Sequence, residues 1–303
     1  MKKLYVLTLF LAFQAHANEM TEHKIVLQVL EPDGSMITRS GELVIRPDAR
    51  ATVILTHGFK HDKSSTKALR VLFPHYNTLV FDFRAHGDNV VGQCCSFGSQ
   101  EVADLKAAAD FVLNHPDIGH LPLIGYGASM GAATIIEAQA RHELFDGIVL
   151  DSPFESMEDI ITRGLSHVRC IIFGYDILAP LRRLLERNMF HSCVDKVLRF
   201  LLRRSANMDS ADVVTCLKPV CPAESIKQIS IPTFLIGCNQ DTLTPPEGIK
   251  KIYAGIQHPN TQLWLVDGRG HVGAFFSHPE VYTQKVNDFI FNVIKRRVRK
   301  HRL

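Results

Sequence analysis

The chain has 303 residues, 46% of them hydrophobic and 21% charged, so it is long and apolar enough to bury a substantial core. Its formal net charge is only +3 at pH 7, and this near-neutral balance argues against a nucleic-acid partner. We therefore expect one large domain with room for an insertion, rather than a string of small domains.

The N-terminus has the three parts of a cleavable secretory signal. Lys2 and Lys3 precede an apolar stretch from Leu4 to Phe13, and an Ala-His-Ala end follows at residues 15–17. The stretch is shorter than the roughly twenty residues that cross a bilayer, so the sequence predicts a signal peptide at 1–17 and export to the periplasm or the medium. Without the two lysines the formal charge falls from +3 to +1. The alternatives are an uncleaved anchor and a buried first strand.

Strand-like and helical runs alternate along the rest of the chain. Runs at 25–30 and 41–45 flank a Pro-Asp-Gly turn signal and predict an opening hairpin. The later strand candidates are continuous and apolar, as in parallel strands covered on both faces: Thr52–Thr56, Thr78–Phe83, Leu121–Gly125, Gly147–Asp151, Thr233–Gly237 and Gln262–Val266. The main helix candidates are Ser99–Asn114, Met130–Arg141, Pro246–Ala254 and Pro279–Arg297. The alternation predicts a mostly parallel, doubly wound α/β sheet.

One stretch breaks this alternation. Between Asp151 and Ile231 there is no strand candidate, and three amphipathic helices are predicted instead: Met157–Val168, Asp176–Met189 and Val194–Arg204. We expect a helical cap inserted at 153–228, between a first core part at 18–152 and a second at 229–303. The alternative is that these helices continue the layers of the core.

A nucleophile motif lies between a strand candidate and a helix candidate. Residues 125–132 read Gly-Tyr-Gly-Ala-Ser-Met-Gly-Ala, which places G-x-S-x-G on a tight strand-to-helix turn. The flanking glycines leave room for a strained serine whose hydroxyl projects outward. Ser129 is therefore the candidate nucleophile. The amide of Met130 is a candidate oxyanion donor, and the amide of Phe59, after the strand at 52–56, is the second.

A serine nucleophile needs a base, and the base needs an acid to orient it. His271 lies in a glycine-flanked loop after the last strand candidate, and Asp241 lies in a loop after the preceding one. Both positions belong to the carboxyl edge of the sheet, where such folds bind ligands. Asp151 competes with Asp241 for the role of the acid, although its side chain is expected instead to cap a turn. This chemistry calls for no metal or organic cofactor.

Five motifs together resemble the α/β-hydrolase superfamily. They are His57-Gly58-Phe59, the segment 82–87, the segment 127–131, Asp241 with Pro245-Pro246, and Gly270-His271. The sequence is similar to serine aminopeptidase-like and monoacylglycerol-lipase-like hydrolases over most of residues 40–295. The resemblance implies Ser129 as nucleophile, His271 as base and Asp241 as orienting acid. Members of the family usually carry glycine where this chain has Ala85, and we expect Arg84 and His86 beside it to be structural.

The predicted function is an exported serine hydrolase that cleaves a carboxylic ester, of a lipid or an acylated small molecule, through an acyl-enzyme. Apolar cap residues either line an acyl pocket or form the cap's own core. One alternative is an amidase or peptidase, in which Glu155, Glu158 or Asp159 holds a free substrate amine. The other alternative is a non-catalytic binding protein of the same fold.

The cysteines and the basic tail indicate which compartment and which surfaces the protein could encounter. All seven cysteines follow the predicted signal, and an oxidising compartment would allow some of them to pair. Cys170, Cys193, Cys216 and Cys221 share one region, so a local pair is expected there. The tail at 295–302 is either a solvated helix end or a weak contact for anionic surfaces.

Overall fold

The computed structural model describes residues 20–89, 93–166, 171–172, 175–191, 194, 196–197 and 215–300. The predicted signal peptide at 1–17 lies outside these residues. Most of the third predicted cap helix, Val194–Arg204, lies outside them as well.

The strands of the described chain are β1 Thr21–Leu30, β2 Met36–Ile45, β3 Thr52–Thr56, β4 Asn77–Phe81, β5 Leu123–Ala128, β6 Gly147–Asp151, β7 Ile171–Ile172, β8 Tyr175–Asp176, β9 Thr233–Gln240 and β10 Thr261–Arg269. All except β7 and β8 form one sheet in the order β1-β2-β4-β3-β5-β6-β9-β10. The β1–β2 hairpin and the β2–β4 pair are antiparallel, and every pair from β4 to β10 is parallel. The predicted mostly parallel sheet is confirmed.

Helices cover both faces of this sheet: α1 Lys63–Lys67, α2 Glu101–Leu113, α3 Met130–His142, α4 Met157–Ser166, α5 Ala179–Arg187, α6 Pro222–Ser225, α7 Pro246–Gly255, α8 Ala274–Ser277 and α9 Pro279–Lys300. Helices α2 and α3 pack on one face through buried residues such as Leu105 and Ile135. Helix α9 packs on the other face through Phe289 and Ile290. Residues of β3, β4 and β6 are buried throughout, which explains why these strands are continuous apolar runs. None of the helices in the described segments is both long and apolar enough to cross a bilayer.

The segment between β6 and β9 contains α4, α5, α6 and one feature that the sequence does not predict. The short strands β7 and β8 pair as an antiparallel hairpin, whereas no strand is predicted between Asp151 and Ile231. A strand of two residues is too short to show the alternation of apolar and polar residues that predicts strands. The sequence pattern therefore does not reveal β7 and β8. The limits of the cap at 153–228 stay a prediction.

One disulfide joins this segment to the core. Cys94 bonds to Cys216 across a sequence separation of 122, and the backbone segments beside them pair through a parallel bridge. The expected local pair is therefore wrong for Cys216 and for Cys221, which is a free thiol. Cys170 and Cys193 lie outside the described residues. The pairing depends on a contact between distant segments, which cysteine spacing does not encode.

The last turns of α9 carry the basic tail. Arg297 donates to the carboxylate of Asp146 at 2.5 Å and to the backbone oxygen of Leu121 at 3.1 Å. This arginine therefore packs against the body of the protein, and it is not part of a wholly solvated helix end.

Candidate active site

The candidate nucleophile lies on a strained turn between β5 and α3. Ser129 has φ 53° and ψ −117°, a conformation that non-glycine residues seldom adopt and that typically costs about 1–3 kcal/mol. Its N–H donates to the backbone oxygen of Asp151 at 2.8 Å, and its carbonyl accepts from Ala133 N at 3.0 Å. These bonds hold the turn, so the serine side chain reaches the cavity described below.

The two motif glycines are required by close packing against the end of β3. A Cβ on Gly127 would lie 2.6 Å from the hydroxyl oxygen of Thr56. A Cβ on Gly131 would lie 2.6 Å from the same hydroxyl and 2.8 Å from the backbone oxygen of His57. Backbone atoms cannot move aside as a flexible side chain can, and only glycine fits. The close approach brings the loop after β3 beside Ser129.

The structure brings Ser129, His271 and Asp241 into one hydrogen-bonded chain. The serine Oγ is 2.7 Å from His271 Nε2, and His271 Nδ1 is 2.8 Å from Asp241 Oδ2. An ionised carboxylate accepts hydrogen bonds, so the arrangement requires the proton of the neutral imidazole on Nδ1. Nε2 is then free to accept the proton of the serine hydroxyl. The three residues come from loops after β5, β9 and β10, all at the carboxyl edge of the sheet.

The carboxylate of Asp241 is held by its own loop. Its Oδ1 accepts from the backbone amides of Leu243 and Thr244 at 2.8 and 3.0 Å. Its Oδ2 accepts from the Thr244 hydroxyl at 2.8 Å. Burial opposes ionisation of Asp241, but the hydrogen bond and charge of His271 and the Thr244 donors outweigh it and lower the pKa below 3.8. The acid therefore stays ionised and fixed in direction.

The two candidate oxyanion donors belong to residues beside the Ser129 cavity. Met130 begins α3, and both Met130 and Phe59 line the same cavity as the serine. A Cβ placed on Gly58 would lie 3.5 Å from the Cβ of Ser129, so the loop after β3 passes close to the candidate nucleophile.

His57 is a residue of this loop to which the sequence assigns no role. Its Nδ1 is 2.8 Å from the backbone oxygen of Gly58, and its Nε2 accepts from Phe83 N at 3.0 Å. Burial lowers the pKa of His57 to about 3, so the ring stays neutral with its proton on Nδ1. Because the carbonyl of Gly58 and the amide of Phe59 share one planar peptide, this bond also sets the direction of the Phe59 N–H.

Ser129 opens into a cavity of about 450 Å³ with a mainly apolar wall. The apolar wall residues include Phe59, Phe97, Phe154, Met157, Ile160 and Phe276. Of the apolar residues in the predicted cap, Ile160 lines this cavity. Ile161 and Leu165 are fully buried and belong to the hydrophobic core that includes Leu105 and Ile135.

The acidic residues predicted to hold a substrate amine lie elsewhere. Glu155 and Glu158 line a separate cavity, and Glu155 pairs with Lys251 at 2.7 Å. Asp159 pairs with Arg163 at 2.6 Å. Among the described residues, the wall of the Ser129 cavity contains no aspartate or glutamate.

Asp151, the alternative candidate for the acid that orients His271, forms its hydrogen bonds with other residues. Its carboxylate accepts from the Ser152 hydroxyl and from the Tyr282 hydroxyl, both at 2.8 Å. Tyr282 is in turn 2.7 Å from the hydroxyl of Tyr126. Burial raises the pKa of Asp151 to about 6. The Ser152 contact is local, as expected of a turn residue. The hydrogen bond from Tyr282 in α9 joins residues 131 positions apart, and no pattern in the sequence predicts it.

Arg84 and His86 make structural contacts behind the cavity wall. Arg84 donates to Asp104 at 2.8 and 3.0 Å and to Glu31 at 2.7 Å, and His86 Nδ1 is 2.8 Å from the backbone oxygen of Arg84. Ala85 between them has φ 60°, the left-handed region in which glycine is the usual residue. The departure from the family pattern is thus a strained alanine in an otherwise well-bonded loop.

The chain belongs to the alpha/beta hydrolase family, whose sequence model matches residues 53–285. It is similar to the uncharacterized protein YfhR of Escherichia coli K12, at 24% identity, over 82% of this chain and 72% of YfhR.

Among solved structures, it is similar to the Pyrococcus furiosus esterase Pf2001, with 23% identity, a TM-score of 0.65, and coverage of 89% of this chain and 92% of the esterase. It is also similar to a thermophilic esterase from Thermogutta terrifontis, with 20% identity, a TM-score of 0.59, and coverage of 89% and 99%. The fold is therefore that of an α/β hydrolase.

Proposed function

We propose that this protein is a serine hydrolase that cleaves carboxylic esters through an acyl-enzyme. The observation that carries the proposal is the hydrogen-bonded chain from Ser129 Oγ through His271 to the carboxylate of Asp241. An alcohol is a poor nucleophile at neutral pH, and a base within hydrogen-bond distance, oriented by a buried acid, is what activates it.

The reaction follows from the positions of these groups. His271 Nε2 takes the proton of Ser129 as the oxygen attacks the ester carbonyl carbon. The N–H groups of Met130 and Phe59 stabilise the resulting oxyanion, and each such donor is worth roughly 3–4 kcal/mol in the transition state. His271 then protonates the leaving alkoxide. A water molecule, deprotonated by the same imidazole, releases the acid.

The cavity supports an apolar ester over an aminoacyl amide. Its wall is mainly aromatic and aliphatic, as suits the acyl chain of a lipid or of an acylated small molecule. Of the carboxylates that would hold a free amine in a peptidase, Glu155 and Asp159 are instead paired with Lys251 and Arg163, and Glu158 lines a separate cavity.

Labelling with a fluorophosphonate tests the nucleophile directly. Wild-type protein is expected to be labelled and to hydrolyse p-nitrophenyl acyl esters, and Ser129→Ala is expected to abolish labelling and lower kcat by about 10⁴-fold or more. Ser65→Ala is the matched control, because Ser65 lines the same cavity without contacting His271. Folded wild-type protein that takes no label would favour a binding protein, and faster cleavage of aminoacyl amides than of acyl esters would favour a peptidase.

We also propose that the protein works after export. The Cys94–Cys216 disulfide supports this, because such bonds persist in oxidising compartments. The expected mature N-terminus, from cleavage after Ala17, is Asn18. Mass spectrometry of the exported protein checks it, and recovery of the full-length chain in the cytosol would contradict the proposal.

A further inference from the structure

Phe97 occupies an unusual position in the wall of the Ser129 cavity. It lies between β4 and α2 with φ 56°, and Gly98 follows with φ 106°. A bulky aromatic residue in the left-handed region is strained, and such strain persists only where the surroundings determine the backbone.

The surroundings anchor both sides of this residue. The fully buried carboxylate of Glu101 accepts from the amide and hydroxyl of Ser96 at 2.7 and 2.6 Å, and from the amide of Gly98 at 2.8 Å. On the N-terminal side, the Cys94–Cys216 disulfide also ties the loop to the segment that precedes α6. The backbone at Phe97 is thereby held in a conformation that the residue would seldom adopt alone.

The ring belongs to the buried part of the cavity wall. Its centroid is 4.7 Å from that of Phe59, whose amide is a proposed oxyanion donor, and Phe97 is only 5% exposed. The wall is open to solvent beside His271, where Leu243 is 41% exposed and Phe276 is 82% exposed.

The chemistry orients an ester between these two parts of the wall. The leaving oxygen must receive its proton from His271 Nε2, so the alcohol part lies on the open side. The acyl chain then runs away from His271, past the oxyanion donors. We propose that Phe97 forms the end wall of the acyl subsite and sets the longest acyl chain that the enzyme accepts. This inference rests on the proposed ester hydrolysis.

Two ester series measured on the full chain test the assignment. Phe97→Gly removes the ring and suits the left-handed backbone, so the loop keeps its shape. The variant is expected to raise the ratio of kcat/KM for dodecanoyl over butyryl p-nitrophenyl esters by about tenfold or more. Phe97→Trp is expected to lower the same ratio. In a series of acetate esters with alcohols of increasing size, neither substitution is expected to change the preference.

Leu243→Ala is the control at the open part of the wall, and it is expected to change the alcohol preference without changing the acyl ratio. The double variant Cys94→Ser/Cys216→Ser releases the anchor and is expected to raise the acyl ratio, which loss of stability alone would not do. Fluorophosphonate labelling of each variant establishes that Ser129 is still reactive. Labelled Phe97→Gly protein with an unchanged acyl ratio, or with a changed alcohol preference, would overturn the assignment. Wild-type protein that hydrolyses no ester would instead refute the proposed function itself.

Discussion

Replacement of Asp151 by asparagine is expected to stabilise the protein at neutral pH and to have little effect at acidic pH. Asp151 is fully buried at the end of β6, and its pKa rises from 3.8 to about 6 because burial disfavours the charged carboxylate. Asparagine is uncharged and nearly the same shape. It can accept from Ser152 and donate to Tyr282, whose hydroxyl can turn to donate to Tyr126.

The magnitude follows from the linkage between protonation and folding. Between pH 4 and pH 6 the folded protein keeps a proton on Asp151 that the unfolded chain has lost, so wild-type stability falls as the pH rises through this window. Above pH 6 the ionised carboxylate destabilises the folded state by up to about 3 kcal/mol relative to a neutral group. Asp151→Asn removes this penalty, and below pH 4 both proteins are neutral at this position.

Urea unfolding at a series of pH values measures the difference in free energy of unfolding between the variant and the wild type. Other titrating groups, including His57, contribute equally to both proteins and cancel in this difference. Asp117→Asn, at an exposed position, controls for the loss of one negative charge. A stability difference that is the same at pH 4 and at pH 7, or a variant that is less stable at both, would refute the reasoning.

Other substitutions probe the turn, the acid loop and the disulfide. Gly131→Ala is expected to prevent folding of the nucleophile turn, because its Cβ would overlap fixed backbone oxygens; normal melting and labelling would contradict this. Thr244→Val removes a hydroxyl that donates to Asp241, and kcat is expected to fall about tenfold with little change in KM, since a hydrogen bond to a charged group is worth about 1.5–3 kcal/mol. Steady-state kinetics on a short acyl ester checks this, and an unchanged kcat would show that the backbone amides suffice. The Cys94→Ser/Cys216→Ser double variant is expected to lose about 2–5 kcal/mol of stability; equal melting of oxidised and reduced wild-type protein would contradict it.

Much of the fold and the candidate site can be read from the sequence because the signals are local. The glycines around Ser129 reflect contacts that any strand-to-helix turn of this kind must make, and a short window therefore reveals them. Asp241 and His271 lie far apart in the chain. Each follows a strand candidate directly, and parallel topology places the carboxyl ends of such strands at one edge of the sheet.

Tertiary contacts decide the features that the sequence does not reveal. The bond from Asp151 to Tyr282, the pairing of Cys94 with Cys216 and the hydrogen bond from the Phe83 amide to His57 depend on segments meeting in space. None of them produces a periodic pattern or a characteristic spacing. The sequence alone determines the alternation of strands and helices, the turn at Ser129 and the loops that contain Asp241 and His271. Each of these features depends on residues within a few positions of one another. Only the packed structure decides which buried carboxylate bonds to the imidazole, because that depends on how the layers of the whole domain fit together.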